Sequence, residues 1–433
     1  MAAGTGGRTP GRAGLLVSID VFDPRVFAAG VPHEALRTLR DTDPVSWQDE
    51  HEVGIWPAGP GFWAVTRYDD VRHVLRTPQD FSSSLGATQI RDPDPADLPF
   101  IRRMVLNMDP PEQVRLRTLV TGAFTRRRLE RFADGIRERA RALLDAAGDR
   151  FDLTDVTDDL PLQNLSDLLG VPYADRPLLK EWTDRVIGYQ DPEHAVVVTD
   201  ADGRPVNPRS PAQLADMFAY AGSLADAKRA HPADDVMTAL VQAEVDGERL
   251  TDAELHMFFF LLVIAGNDTV RSALPGGVLT LLRNPDEYAR LRADPGLLPG
   301  AIEEMLRVHP PVLTFRRTAT RDLVLAGREI AAGDKVVVYH CSAHSDERRF
   351  PDPLRFDPAR TPNEHLAFGQ GPHLCLGAAF ARLQMRAFFT EFLARPPVEL
   401  DGEPRRLTSN FINGLTRLPV RVTPAGGHRR RGG

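Results

Sequence analysis

The stretch His365-Leu-Ala-Phe-Gly-Gln-Gly-Pro-His-Leu-Cys-Leu-Gly-Ala-Ala-Phe-Ala-Arg382 decides how the rest of this chain is read. Three glycines, Gly369, Gly371 and Gly377, surround one cysteine, Cys375, and a helical pattern starts directly after it. Glycine lets a backbone take unusual angles and come close to a ligand. A cysteine at a helix N-terminus has its thiolate favoured by the dipole and by free N–H groups. Amide hydrogen bonds to the sulfur would tune a metal held there. On its own, a cysteine in a turn reads as inert core. The surrounding pattern points instead to a ligand-bearing loop.

Working outward, the last long helix is expected from about Leu376 to Ala394, preceded by a Pro-rich meander from Phe350 to Pro362. Short strands are expected at Leu323 to Leu325 and Lys335 to Tyr339, with a helix at Gly300 to Val308 before them. Asp252 to Leu282 is the longest helical candidate, roughly 45 Å at about 1.5 Å per residue. Its middle, Met257 to Ala265, is apolar on all sides, so it should run through the core. Gln113 to Phe124, Leu129 to Ala146 and Leu160 to Leu169 repeat apolar residues at three and four, the helical period. Leu36 to Leu39, Phe62 to Thr66 and Val71 to Leu75 suggest helix, strand and helix. Gln190 to Pro211, rich in Pro, Asp, Gly and Asn, should be a loop. The expectation is one mainly α unit over residues 15–424 with small β-sheets drawn from both ends of the chain. Disordered tails are expected at 1–14 and 425–433.

The composition narrows the function classes. A net charge of −7 over 433 residues gives no sign of a nucleic-acid binder. Two cysteines, Cys341 and Cys375, do not make a disulfide scaffold, so a reducing cytoplasm is the expected location. Leu15 to Val17 is far too short for a signal segment or a membrane span, and no membrane partner is expected.

Two further motifs carry chemistry. Ala265-Gly266-Asn267-Asp268-Thr269 sits in the middle of the long apolar helix. Polar residues and glycine are poor choices there, and a buried acid is expensive unless used. A tolerated kink is the plainer reading. The other motif is Glu304-Met-Leu-Arg307, whose acid and base share a helix face and can form a charge-assisted pair. Most such pairs lie on solvated surfaces.

The pattern Phe368-Gly-x-Gly-x-His-x-Cys375-x-Gly377 resembles the haem-binding loop of the cytochrome P450 family. The likeness runs from Phe62-Trp-Ala-Val to Ser409-Asn-Phe-Ile-Asn-Gly414, nearly the whole chain. It implies a triangular α-helical prism, with haem b held between the long central helix and the cysteine loop that leads into the last helix. Cys375 becomes the axial iron ligand, pushing electron density that favours O–O cleavage. Phe368 packs beside it, Gly369 and Gly377 shape the loop, and His373 meets a propionate.

On the other side of the ring, the likeness makes Ala265 and Gly266 room for O2. Thr269 is expected to turn its hydroxyl toward that space instead of bonding back to its own helix, with local widening a known device at such sites. Asp268 would relay protons. Arg317 and Arg117 match propionate contacts, and Gln113 stands where the family usually has histidine. Glu304, Arg307 and Arg360 match the family's structural ion-pair trio, and Cys341 reads as core.

The implied activity is a monooxygenase that inserts one oxygen of O2 into a C–H bond of a hydrophobic small molecule. Segments such as Gly30-Val-Pro-His-Glu34 resemble a bacterial clan acting on sterol side chains and branched lipids, and shared by secondary-metabolite tailoring enzymes. Leu261, Leu262, Val312, Leu313 and Ile412 are the expected substrate contacts, with Ser83 to Arg102 and Val186 to Pro211 as lid. No flavin or iron–sulfur motif is present, so a ferredoxin and its reductase should supply electrons to a monomer, with Arg115 and Arg126 to Arg128 as docking candidates. A peroxide-dependent peroxygenase and a non-catalytic haem-thiolate binder are the rival readings, and Asp268-Thr269 argues against both.

Overall fold

The computed structural model describes residues 19–423, except 54–55, 187–189, 192, 194–197, 200–204 and 208–209. Both expected tails and parts of the expected Val186 to Pro211 lid lie outside the described residues.

The fold is built around one helix. Asp252–Arg283 starts at a capping box, in which Thr251 Oγ accepts from the Glu254 amide and Glu254 accepts from the Thr251 amide at 2.8 Å. By length and hydropathy this helix could cross a membrane, but its most apolar window is 61% buried inside the fold. Its neighbours are Leu153–Leu169, Arg176–Val186, Ala215–Ala230, Leu298–Val308 and Ala378–Ala394. Phe258, Phe259 and Val263 fill one cluster; Leu274, Val278 and Leu281 fill another. Each such side chain contributes about 1.5–3 kcal/mol on burial. At Gly277 a Cβ would come within 2.6 Å of the Phe389 ring, so only glycine lets the last helix approach this closely.

The sheets tie the chain's ends together. The main sheet runs Val45–Gln48, Phe62–Val65, Lys335–Tyr339, Thr314–Ala319, Phe81–Ser82. Its one parallel pairing, Trp63 opposite Val336, joins residues more than two hundred apart in sequence. A smaller sheet sets Pro419–Val422 between Val398–Leu400 and Arg150–Asp152. The β part is thus drawn from both ends, as expected.

The differences from the sequence reading have physical causes. Leu153–Leu169 begins seven residues before Leu160, because Asp152 caps it and Pro161 is accommodated inside the helix. Its end is as read, with Gly170 left-handed at φ 68°. The loop expected over 190–211 contains a two-stranded pairing of Val198–Thr199 with Pro205–Val206. Ala215–Ala230 went unread because its buried face, Met217, Ala221, Leu224 and Ala225, is half alanine and leaves little apolar contrast.

Beneath the cysteine loop lies the ion-pair trio. Arg307 gives Nε and Nη2 to Glu304 at 2.7 Å each, and Arg360 Nε adds a third bond at 2.9 Å. Arg307 also donates to the carbonyls of His344 and Pro353, both at 2.7 Å. Both partners of the first pair are fully buried and satisfied, so the trio pins the Phe350 to Pro362 meander to Leu298–Val308.

Candidate active site

The cysteine loop is held open by its glycines. Gly369 and Gly371 take φ of 70° and 73°, and a Cβ on Gly371 would lie 2.5 Å from the Leu75 carbonyl oxygen. The Cys375 amide donates to the Phe368 carbonyl at 2.8 Å, which closes the loop just before Ala378–Ala394. Burial pushes the Cys375 thiol above its ordinary value, against the opposing pull of the Gly377 amide, Arg117 and Arg382. A coordinated metal would deprotonate this thiol outright.

Cys375 opens onto a largely apolar cavity between this loop and the central helix. At one edge stand Arg117, Arg317 and His373. Burial pulls Arg317 down to about 10 and lowers Arg117 as well, yet neither has a carboxylate within ion-pair distance among the described residues. His373 is pushed down to about 3, chiefly by burial, so it is neutral, and its Nε2 lies 3.2 Å from Ser83 Oγ. Two uncompensated guanidiniums at the rim of an apolar slot, facing a cysteine, fit a flat metallo-ring bearing two carboxylates. Uncompensated burial of such charges is costly, and an anionic ligand relieves it.

The opposite wall is one face of the central helix: Leu261, Leu262, Ala265, Gly266 and Thr269. The helix stays α-helical throughout, without local widening. Thr269 Oγ1 donates to its own helix, to the Ala265 carbonyl at 2.8 Å, which corrects the expectation of a hydroxyl free of that bond. A helical threonine facing an apolar wall has no closer acceptor than the carbonyl four residues back. Asp268 points the other way. It is buried, one carboxylate oxygen has no partner, and Arg271 lies 3.8 Å from the other. Arg271 is committed to Asp158 by two 2.6 Å bonds, with Asp184 at 3.5 Å and Lys180 bound to Asp184 at 2.6 Å. Burial first, then Asp184 and Asp158, raise Asp268 to about 7, against the pull of Arg271 and Lys180.

Comparison with known proteins agrees with this geometry. The cytochrome P450 family profile matches residues 296–422. The methyl-branched lipid omega-hydroxylase of Mycobacterium tuberculosis is 42% identical over 395 residues, 89% of this chain and 90% of its own. The chain belongs to the cytochrome P450 family. The steroid C26-monooxygenase of the same organism is 35% identical over 93% of this chain and 92% of its own. Mycobacterium marinum CYP268A2, solved with pseudoionone, superposes with a TM-score of 0.82 at 37% identity, covering 95% of this chain and all of that one. As a P450, the chain is a monooxygenase that binds haem b and uses O2.

Within this P450, Cys375, Phe368, Gly369, Gly377, His373, Arg117, Arg317, Ala265, Gly266, Thr269, Leu261, Leu262 and Val312 meet around one cavity. Leu313, Ile412, Asp268 and Gln113 do not line it. Leu313 follows Val312 in an extended run, where neighbours face opposite sides, and it packs with Val337 and Tyr339 instead. Ile412 pairs with Val312 through the backbone, and its side chain is buried away from the cavity wall. Gln113 Nε2 donates to the Pro372 carbonyl at 2.6 Å, bracing the cysteine loop from behind, and its Oε1 is buried without a partner. Sequence reasoning missed Phe315, Leu75 and Phe124 as cavity walls. It also missed Asp109, which accepts from the Ser83 amide and the Ser84 hydroxyl at 2.7 Å and so fixes Ser83 beside His373. The run Phe81-Ser-Ser-Ser84 was its available signal.

The Ser83 to Arg102 loop and the arginines expected to dock a partner are also placed. Arg316 holds the Ser83 to Arg102 loop through the carbonyls of Thr88 and Ile90 and through Asp92 at 2.5 Å, and Lys335 binds Asp92 at 2.8 Å. Arg115 is committed to Glu112, Glu248 and Glu254, so it is not a free docking cation. Arg126 pairs with Glu130 at 2.6 Å, whereas Arg127 and Arg128 have no carboxylate partner among the described residues.

Proposed function

We propose that this P450 hydroxylates an unactivated C–H bond of a steroid, terpenoid, branched lipid or secondary-metabolite intermediate, drawing electrons from a ferredoxin and its reductase. The reaction consumes two electrons and two protons; one oxygen of O2 enters the substrate and the other leaves as water. The observation that carries this reading is Asp268, a buried acid raised to about 7 whose next residue, Thr269, reaches the cavity. Near neutral pH such a group both takes and gives a proton. Release of the Thr269 hydroxyl from the Ala265 carbonyl lets it pass that proton inward. The haem, when bound, supplies the iron at which O2 is reduced. Cys375 would hold that iron, and Arg117, Arg317 and His373 would orient the ring.

The leucine-lined wall suits a greasy substrate, and named relatives acting on branched lipid and steroid support the class. Arg127 and Arg128, exposed and without acid partners, suit the acidic face of a ferredoxin. We assign the activity to residues 15–424 as one unit working in the cytoplasm.

The absorption spectrum of the dithionite-reduced, CO-bound protein tests the core of the reading. A strongly red-shifted Soret band is expected, and Cys375→Ser should abolish it; its survival in the serine variant would refute the ligand assignment. Product yield with ferredoxin and reductase, set against yield with hydrogen peroxide alone, separates monooxygenase from peroxygenase. A screen for low- to high-spin shifts across steroids and branched lipids then sorts the substrate class.

A further inference from the structure

Behind Phe368, on the side away from the haem cavity, three side chains form a chain of contacts that the proposed reaction has not used. The Arg382 guanidinium lies over the Phe368 ring, 4.3 Å from its centre, well inside the roughly 6 Å reach of a cation–π contact. Its Nε and Nη2 both donate to Glu303, at 2.7 Å each, which fixes the plane of the guanidinium. Glu303 also takes His365 Nε2 at 3.1 Å. The three come from different elements: the helix Leu298–Val308, the start of the cysteine loop, and the helix Ala378–Ala394. Arg382 lines a surface cleft whose wall includes Cys375 itself.

The pair is electrically lopsided as seen from the sulfur. Arg382 lies over the ring of Phe368, whose backbone carbonyl takes the Cys375 amide at 2.8 Å, whereas Glu303 reaches that ring only through Arg382 and His365. Burial favours a neutral Glu303, but hydrogen bonds from Arg382 and His365 outweigh it and hold the carboxyl at about 2, so the anion persists at any useful pH. A fixed cation near a thiolate draws electron density from it and favours the added negative charge of a reduced iron. Arg382 keeps 41% of its side chain exposed, so solvent screens the effect to a modest size.

We infer that Arg382 is a positioning residue that sets how strongly Cys375 donates to the haem iron, acting across Phe368 and oriented by Glu303. The inference rests on the haem-thiolate reading and adds to it the residue that tunes the ligand. A purely structural pair would tie the last helix to its neighbour, and losing either partner would then alter stability without moving the iron's potential in opposite senses.

The test is spectroelectrochemistry of the haem-loaded protein and its Arg382→Gln and Glu303→Gln variants, with the stretch of bound CO as second readout. Arg382→Gln should make ferric iron harder to reduce, by about three- to tenfold in the reduction equilibrium, where tenfold is about 59 mV for one electron. Its CO stretch should fall as donation rises. Glu303→Gln leaves the cation without its counter-charge and should move both readouts the opposite way. Arg382→Lys keeps the charge but loses the two-pronged, ring-stacked geometry, and should fall between the parent and Arg382→Gln; a lysine variant no different from Arg382→Gln would overturn the role of the charge. Where Arg382→Gln does not fold, Glu303→Gln decides: a raised potential supports the inference and an unmoved one overturns it. Equal-sign or absent shifts in the two neutral variants, with the red-shifted CO band intact, overturn it alone. A parent protein lacking that band takes down the thiolate reading and this inference together.

Discussion

The two sides of the haem cavity are built on opposite principles. Beneath the cysteine loop, the buried Glu304–Arg307 pair is saturated with partners. The Glu304 carboxylate collects Arg307 twice, Arg360, the Asn363 amide at 3.0 Å and the Asp357 backbone at 3.2 Å. On the central-helix side, buried polar groups are left short. Among the described residues, one oxygen of Asp268 and the side-chain amide oxygen of Asn267 have no partner, and the Thr269 hydroxyl makes do with its own helix. A satisfied network is rigid and specifies one arrangement, while an unsatisfied one has somewhere to go. On the proposed reading, one face would fix the metal and the other would keep the groups assigned to proton handling uncommitted.

The sharpest way to break this contrast is at its most saturated point. Glu304→Ala leaves Arg307 and Arg360 facing each other without an anion, with Arg307 fully cut off from water and Arg360 only partly open to it. The expected cost is about 3–5 kcal/mol, because the penalty of a stranded buried charge dominates. Denaturant unfolding would measure it, together with loss of bound haem, since the meander behind the cysteine loop would come loose. A cost below about 1 kcal/mol would mean that the cysteine side is no more rigid than the other.

Asp268→Asn should behave in reverse, harming chemistry while helping the fold. Product formation at neutral pH should fall by about two orders of magnitude, the usual worth of a positioned proton donor. The stability effect follows from the raised value near 7. An acid whose folded value lies above its unfolded one favours the fold fully below about pH 4, and loses that contribution as pH rises through 7. Wild type should therefore weaken between pH 4 and 8 through this group, and the neutral variant should not. At pH 8 the variant should melt higher, by up to a few kcal/mol, with the gap closing toward pH 4. A variant less stable at every pH would show that Arg271 already compensates the charge.

The same contrast explains what could be read in advance. The cysteine loop was legible because its chemistry is local: the glycines, Phe368, His373 and Cys375 lie within ten residues, and the backbone angles demand those glycines. The trio was legible because Glu304 and Arg307 are one helical turn apart. The environment of Asp268 was not, since Asp158 and Asp184 arrive from separate helices more than eighty residues away. Leu313 was misassigned because adjacent residues of an extended run face opposite ways, and which one faces the cavity depends on register. Gln113 stands where the family has histidine, which left its propionate contact open; only folding reveals the Pro372 carbonyl as its acceptor.

The smallest effect on the fold, and the finest probe of the uncommitted side, belongs to Thr269. Its hydroxyl bonds only to the Ala265 carbonyl, which already serves the helix ladder. Thr269→Ala should thus change stability by no more than about 0.5 kcal/mol. What it removes is the group between Asp268 and the cavity, so electrons should be consumed at a similar rate while the share ending as hydrogen peroxide rises severalfold. Thr269→Ser keeps the hydroxyl and should restore coupling. Product and peroxide per NAD(P)H, measured in all three proteins, decide the matter. Full coupling in the alanine variant would mean that protons bypass Thr269, and the cavity would then need a different acid from Asp268.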